Sequence, residues 1–194
     1  AAQIDRETAF LGVPGQPHPW AARPEAELRS LAETGRGIVL LAVADGDIVG
    51  YLSAFAGHFA RSRGSVFIAV VGLREAWRGR GLGTRLFAAV EEWARARGAW
   101  RLDLRVSSLN ERGQALYRKC GFVVEGRIRE AVLRGGAWTD DLWLAKQLDP
   151  MPPAALAPAG DSRRRGSGGH AVGTLVVREM RPGDGAAFHD WEMR

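Results

Sequence analysis

The sequence predicts an α/β fold built on a mixed, three-layer β-sheet, and three observations carry that expectation. Apolar runs of strand length recur between helical patterns along most of the chain. Residues 70–97, VVGLREAWRGRGLGTRLFAAVEEWARAR, pass from a buried strand through a glycine-rich turn into an amphipathic helix. Two turn signals, Asp45-Gly46 and Gly135-Gly136, each sit between a pair of β patterns.

In chain order, residues 1–8 have helical character without a start signal, and 10–20, FLGVPGQPHPW, read as a loop set by Pro14, Gly15, Pro17 and Pro19. A short helix is expected from about Pro24 to Thr34, with Leu28 and Leu31 facing inwards and Gly35 ending it. Strands follow at 37–44 and 47–56, then a basic loop from His58 to Gly64, then a strand over 65–72 that leads into the turn. The long helix after it places Leu82, Leu86, Val90 and Trp93 on one face, and Gly98 stands where a left-handed C-cap belongs. Arg101 to Val106 alternates apolar and charged residues, as a strand with one polar face does. Ser108 or Asn110 can cap the next helix, with Glu111 completing a capping box from Ser108 and Gly121 closing the helix. Residues 122–133 and 137–146 form a second pair of strands.

Within 70–97 the segment Arg78-Gly79-Arg80-Gly81-Leu82-Gly83 has three glycines in five residues. They let successive backbone N–H groups turn towards one point at a helix start, and Arg78 and Arg80 add fixed positive charge beside it, which makes a phosphate cradle. A dinucleotide-binding fingerprint needs a third glycine where Thr84 stands, and no Walker lysine is present. Arg78, Gly81 and Gly83 fit Q/R-x-x-G-x-G/A, so the stretch resembles the pyrophosphate arm of the GNAT superfamily, the acyl-CoA-dependent N-acyltransferases. A second stretch, N-x-x-x-x-A-L-Y-R-K-C-G-F from Asn110 to Phe122, is similar to the same family's later signature.

This resemblance implies a GNAT-type sheet, acetyl-CoA as cosubstrate, no metal, and acetyl transfer to a primary amine on a small molecule or a peptide N-terminus. It also implies the site. Val71, Leu73, Arg78, Gly79, Arg80, Gly81, Leu82, Gly83, Thr84, Asn110 and Tyr117 would bind acetyl-CoA. The strand 65–73 would splay from 101–106 so that the pantetheine arm pairs in the gap, with the N–H near Leu73 steadying the oxyanion. Tyr117 would be the catalytic acid; a phenol is protonated at neutral pH and can donate to a leaving thiolate. Cys120, three positions round the same helix, reads as a packed thiol, since direct transfer needs no acyl-enzyme.

Two departures from the family pattern matter. Many members carry a glutamate on the strand before the cradle, whereas SVFIAVVGL has no ionisable side chain; Asp103, His58, Ser107 and Ser108 are what remain, along with water relayed through backbone carbonyls. Nothing before Gly37 supplies the family's opening strand, yet 174–194, TLVVREMRPGDGAAFHDWEMR, reads like that opening. Set before Ala1, it extends one helical stripe through Phe188, Trp191, Ala1 and Ile4. The expectation is a circular permutant, opened inside its first helix, with one domain comprising 1–148 and 173–194 and a loose linker at 149–172. Five strand steps at ~4.8 Å span roughly 24 Å, and a flexible segment of about 23 residues spans roughly 26 Å. The rivals are a truncated tandem protein and a swapped homodimer.

Composition narrows the partners. The 194 residues carry a formal charge of +5, and apart from Lys119 and Lys146 all basic residues are arginine, a bias that suits a GC-rich genome. The dense run Arg163-Arg164-Arg165 has no aromatic residues to stack on bases, so no nucleic-acid partner is expected. No apolar run approaches the roughly 18 to 20 residues that cross a bilayer, so no membrane partner is expected, and the lone Cys120 suits a reducing cytoplasm. Two other classes stay open at this stage: a non-catalytic acyl-CoA-binding module, because of the missing carboxylate, and a nucleic-acid-binding protein, because of the charge. The segments 10–20, 57–64 and 133–138 are expected to wall the acceptor side. Phe10, Trp20, His58, Arg61, Arg63 and Trp138 lie there without the carboxylate cluster a polycation would need, which favours an acceptor with a neutral or acidic neighbouring group.

Overall fold

The computed structural model describes residues 34–56, 64–134, 136–148, 171–172, 175–180 and 184. The expected helix at 24–34, the helix across the chain ends and the segment 149–170 lie outside them, as do His58, Arg61 and Arg63.

The described strands form one mixed sheet. In chain order they are β1 (Gly37–Ala44), β2 (Asp47–Ala56), β3 (Ser65–Leu73), β4 (Arg101–Ser107), β5 (Val123–Arg134), β6 (Ala137–Gln147), β7 (Ala171–Val172) and β8 (Leu175–Glu179). In space the order is β5-β6-β4-β3-β2-β1-β8-β7. The connection from β1 to β2 is a tight hairpin, because Asp45 and Gly46 both take positive φ, 51° and 88°, as a two-residue turn matching strand twist requires. β3 and β4 run parallel, and α1 (Leu82–Arg95) joins them. A shorter helix, α2 (Glu111–Lys119), follows β4.

Each sheet face carries its own buried cluster. Leu82, Leu86, Phe87, Val90 and Trp93 of α1 pack on Leu40, Leu52, Val66, Ile68 and Leu104, with Leu116, Tyr117 and Phe122 closing the same cluster beside α2. The opposite face buries Val39, Leu41, Ile48, Tyr51 and Val70. The four residues whose spacing defines the helical stripe are all buried, and Gly98 has φ of 70° just beyond the helix.

The segment expected to supply an opening strand forms β8, which pairs antiparallel with β1 from Leu40↔Glu179 to Ala44↔Leu175. Arg178 donates from both terminal nitrogens to Asp184, which ties that residue back onto the strand. β8 lies five steps from β6 in the sheet, the separation that the reach argument assumed.

Of the two residues expected to cap α2, one does so. Asn110, not Ser108, caps α2: its Oδ1 accepts from the Gly113 N–H at 2.9 Å. The Ser108–Glu111 box does not form because Ser108 belongs to the preceding turn, where its N–H donates to the Asp140 carbonyl and its own carbonyl accepts from Gln114 Nε2. Gly113 completes the cap, since a Cβ there would stand 2.7 Å from Asn110 Nδ2.

Candidate active site

β3 positions the site through an irregularity that no pattern in its sequence announces. Its register with β2 passes from Ser53↔Val70 to Ala54↔Ile68, so Ala69 is an extra residue. A bulge of this kind bends the strand and points both of its residues to one side, and Ala69 and Val70 both pack against the second cluster. Pairing with β4 ends at Ile68↔Leu104, immediately before the bulge. Among the described residues, β3 from Ala69 onward has β2 on one side and a gap with no strand partner on the other.

The ladder determines which backbone groups face that gap. Arg74 donates to the Val49 carbonyl at 2.9 Å, so Arg74 and Val49 are a hydrogen-bonded antiparallel pair. Such pairs alternate with non-bonded ones, which makes Leu73 opposite Gly50 and Val71 opposite Leu52 the non-bonded pairs. The N–H and C=O groups of Val71 and Leu73 therefore point away from β2, into the gap. Gly50 permits the close approach this demands; a Cβ on it would meet Leu73 Cδ2 at 2.3 Å.

A short 3₁₀ turn, Glu75–Trp77, leads from β3 to the glycine-rich segment. Gly79 and Gly81 take φ of 74° and 79°, and Gly81 is the N-cap of α1. No side chain caps that terminus, the first turn holds no acidic residue, and the first intrahelical bond is Arg85 N–H to the Gly81 carbonyl. The N–H groups of Leu82, Gly83 and Thr84 thus lie at the positive end of a helix, the arrangement that binds anions. A Cβ at Gly79 or Gly81 would meet nothing within 4 Å, so backbone conformation alone accounts for these two glycines.

The third glycine has a different cause: a Cβ on Gly83 would lie 2.8 Å from Leu116 Cδ2, so Gly83 lets α1 and α2 pack closely. Around the turn, the Arg80 guanidinium lies 4.9 Å from the centre of the Trp77 ring, and Arg78 Nε donates to the Leu73 carbonyl at 3.0 Å. The Leu82 side chain is buried, so this residue would meet a ligand here through its backbone.

Tyr117, on the last turns of α2, packs edge-on against Phe87 and Phe122 with centroids 5.5 and 6.3 Å away. Its hydroxyl makes no hydrogen bond with another described residue. Burial, reinforced by the neighbouring Cys120, pushes its pKa up to about 12, so the phenol keeps its proton throughout the neutral range. Val71, Leu73 and Tyr117 pack on the same cluster and so share the face that carries α1 and α2. Cys120 is a buried free thiol whose pKa burial also raises, consistent with a packing residue.

The candidate bases fare differently. Asp103 is buried on the opposite face, where its carboxylate accepts from Ser65 Oγ at 2.6 Å, Arg101 Nε at 2.8 Å and Trp143 Nε1 at 3.1 Å. Arg101 continues the network to Glu125. Ser107 shapes the turn into α2, its Oγ accepting from the Leu109 N–H and its carbonyl from Asn110 and Gln114. Among the described residues, no group of three His, Cys, Asp or Glu is placed to hold a metal ion. No described helix is long and apolar enough to cross a membrane.

Comparison with known proteins agrees with this geometry. The profile of the Acetyltransferase (GNAT) family matches residues 6–122. L-methionine sulfoximine/L-methionine sulfone acetyltransferases of Pseudomonas aeruginosa and Pseudomonas paraeruginosa are each 30% identical over 138 residues, covering 69% of this chain and 77% of theirs. Ribosomal-protein-alanine N-acetyltransferase from Brucella melitensis is 31% identical, with a TM-score of 0.58 over 63% of this chain and 75% of its own. The yncA structure from Salmonella typhimurium, solved with its cofactor acetyl-CoA, shares the fold at 24% identity and a TM-score of 0.62, over 68% of this chain and 76% of its own. A bulged and splayed strand, an uncapped glycine-rich helix start and these matches together identify the chain as an acetyltransferase of the GNAT family.

Proposed function

We propose that the protein transfers an acetyl group from acetyl-CoA to the primary amine of a small molecule or peptide terminus. The observation that carries this reading is the gap beside β3, which opens next to an uncapped, arginine-flanked helix start. That pairing suits a ligand with a diphosphate at one end and an amide-bearing arm at the other. When bound, acetyl-CoA supplies an activated acetyl thioester. The backbone N–H groups from Gly79 to Thr84, with Arg78 and Arg80, hold the diphosphate, and Val71 and Leu73 pair with the arm. The Leu73 N–H steadies negative charge on the carbonyl oxygen. The Tyr117 hydroxyl gives its proton to the departing sulfur, a role that its raised pKa and the absence of a described hydrogen-bond partner both favour. Asn110 acts through its cap, which sets the start of the helix carrying Tyr117.

β3 offers no carboxylate and Asp103 spends its acceptors inside the protein, so the amine is held in place and loses its proton to water. For the acceptor we favour an amine beside a neutral or acidic group. The curated relatives are named for methionine sulfoximine and sulfone, which are amino acids, and a solved neighbour for a ribosomal-protein alanine. Residues 1–148 and 173–194 form one domain in this reading, with support from the pairing of β8 with β1. A panel of L-methionine sulfone, an alanine-initiated peptide and spermidine, assayed by thiol release from acetyl-CoA, tests it. The first or second should be the best acceptor, and spermidine as the best would overturn the acceptor class.

A further inference from the structure

Arg78 does something in this structure that charge alone does not require. Its Nε reaches back five residues and donates to the carbonyl of Leu73, the last residue of β3. That carbonyl faces the gap, where β4 no longer offers a donor. The peptide unit joining Leu73 to Arg74 is planar and trans, so its C=O and N–H point in opposite directions. The N–H is held by Val49 on the β2 side and the C=O by Arg78 on the gap side. Leu73 is also packed over Gly50, whose missing side chain leaves the room for it. The strand end is therefore pinned at three points, and one of them is a side chain of the residue immediately before the glycine-rich turn.

We propose that Arg78 is a positioning residue: its Nε fixes the end of β3, and with it the Leu73 N–H that the reading above assigns to the carbonyl oxygen of the thioester. The inference rests on that reading. Through this bond the anion cradle and the oxyanion donor form one mechanical unit, so filling the first holds the second in register. The donor must stand at the ε position of the side chain. A glutamine carries an N–H there without the charge, a methionine has the same reach without a donor, and a lysine keeps the charge but places its nitrogen one atom further out.

The experiment compares R78Q, R78M and R78K with the unmodified protein. Turnover is measured at saturating acetyl-CoA with the best acceptor of the panel above. Acetyl-CoA affinity is measured by calorimetry, and amide hydrogen exchange at Leu73 and Arg74 is followed without ligand. R78Q should bind acetyl-CoA several-fold more weakly yet keep most of its turnover and its exchange protection. R78M should match R78Q in affinity, lose roughly tenfold more turnover and exchange Leu73 and Arg74 faster. R78K should bind best of the three and still turn over more slowly than R78Q. Equal exchange in R78M and R78Q would overturn the tether itself. Faster exchange in R78M with turnover equal to that of R78Q would overturn the catalytic assignment of Leu73, leaving the bond a purely architectural one. R78Q also guards against a folding artefact, because a loss common to all three variants contradicts the proposal.

Discussion

Tyr117, partly buried, and Asp103, fully buried, are two ionisable residues shielded in contrasting ways. Tyr117 has an apolar surround and no described hydrogen-bond partner, so its phenol is a donor in reserve. Replacing it with phenylalanine keeps both edge-on ring contacts and removes only the hydroxyl. Turnover should fall by roughly 10- to 100-fold, as loss of a positioned acid does, while acetyl-CoA affinity measured by calorimetry stays nearly unchanged. The raised pKa also has a stability consequence. The unfolded chain ionises its tyrosine near pH 10 and the folded one at about 12. The stabilisation is complete below pH 10 and is lost as pH rises from there through about 12, so urea midpoints should fall more steeply across that window in the unmodified protein than in Y117F. Asp103 accepts three hydrogen bonds and pairs with Arg101. D103N should lower stability by about 2 kcal/mol, since removing a hydrogen-bonded buried charge strands its partners and Arg101 retains Glu125. The pH profile of turnover should keep its shape; a lost acidic limb would restore Asp103 as a proton acceptor.

At the level of elements, the bulge in β3 does what no single side chain does. Ala69 shifts the alternation so that Ile68 and Val71 both meet the α1 face although they are three residues apart. Removing Ala69 leaves every other residue of β3 on its present face and takes away only the bend. The shortened protein should fold, with an unchanged far-UV circular dichroism spectrum, and β3 should stay paired with β4 past Ile68. It should then lose the thermal shift that acetyl-CoA gives the unmodified protein, because the gap has closed. The glycines of the turn separate in the same way. G83A presses a methyl into Leu116 at 2.8 Å and should cost about 1–3 kcal/mol. G81A meets open space but is strained by its positive φ, about 1–2 kcal/mol, and disturbs the anion end of α1 directly. Acetyl-CoA affinity should therefore suffer more in G81A than in G83A at similar losses of stability.

For the molecule as a whole, β8 covers an edge that β1 would otherwise expose. Ending the chain at residue 170 removes both β7 and β8 and leaves Leu40 to Ala44 with unpaired backbone groups. It also uncovers the cluster that Val177 helps to close. Losing that side chain's burial costs about 2 kcal/mol, and with the lost ladder the melting temperature should drop by roughly 10 °C, at 2–4 °C per kcal/mol for a chain of this size. A peptide of residues 171–194 added in trans should restore part of it. If the truncated chain melts at the same temperature, β8 is not part of this domain.

What the sequence determined by itself is what short-range chemistry encodes. The Asp45-Gly46 hairpin, the Leu82–Trp93 stripe, the Gly98 cap and the motif residues from Arg78 to Gly83 follow from backbone preference and periodicity, which act over a few residues. The tertiary structure alone decided the features that depend on two distant segments meeting. The bulge at Ala69 exists because β2 and β3 differ by one residue between fixed contacts, and SVFIAVVGL reads as an unbroken strand. Gly83 looks like part of the anion turn until α2 arrives with Leu116. Asp103 reads as an available carboxylate until Ser65, Arg101 and Trp143 converge on it from three strands. The tether from Arg78 to Leu73 spans only five residues, yet it forms because the splay leaves that carbonyl without a partner among the described strands, and splay is a property of the sheet rather than of either strand.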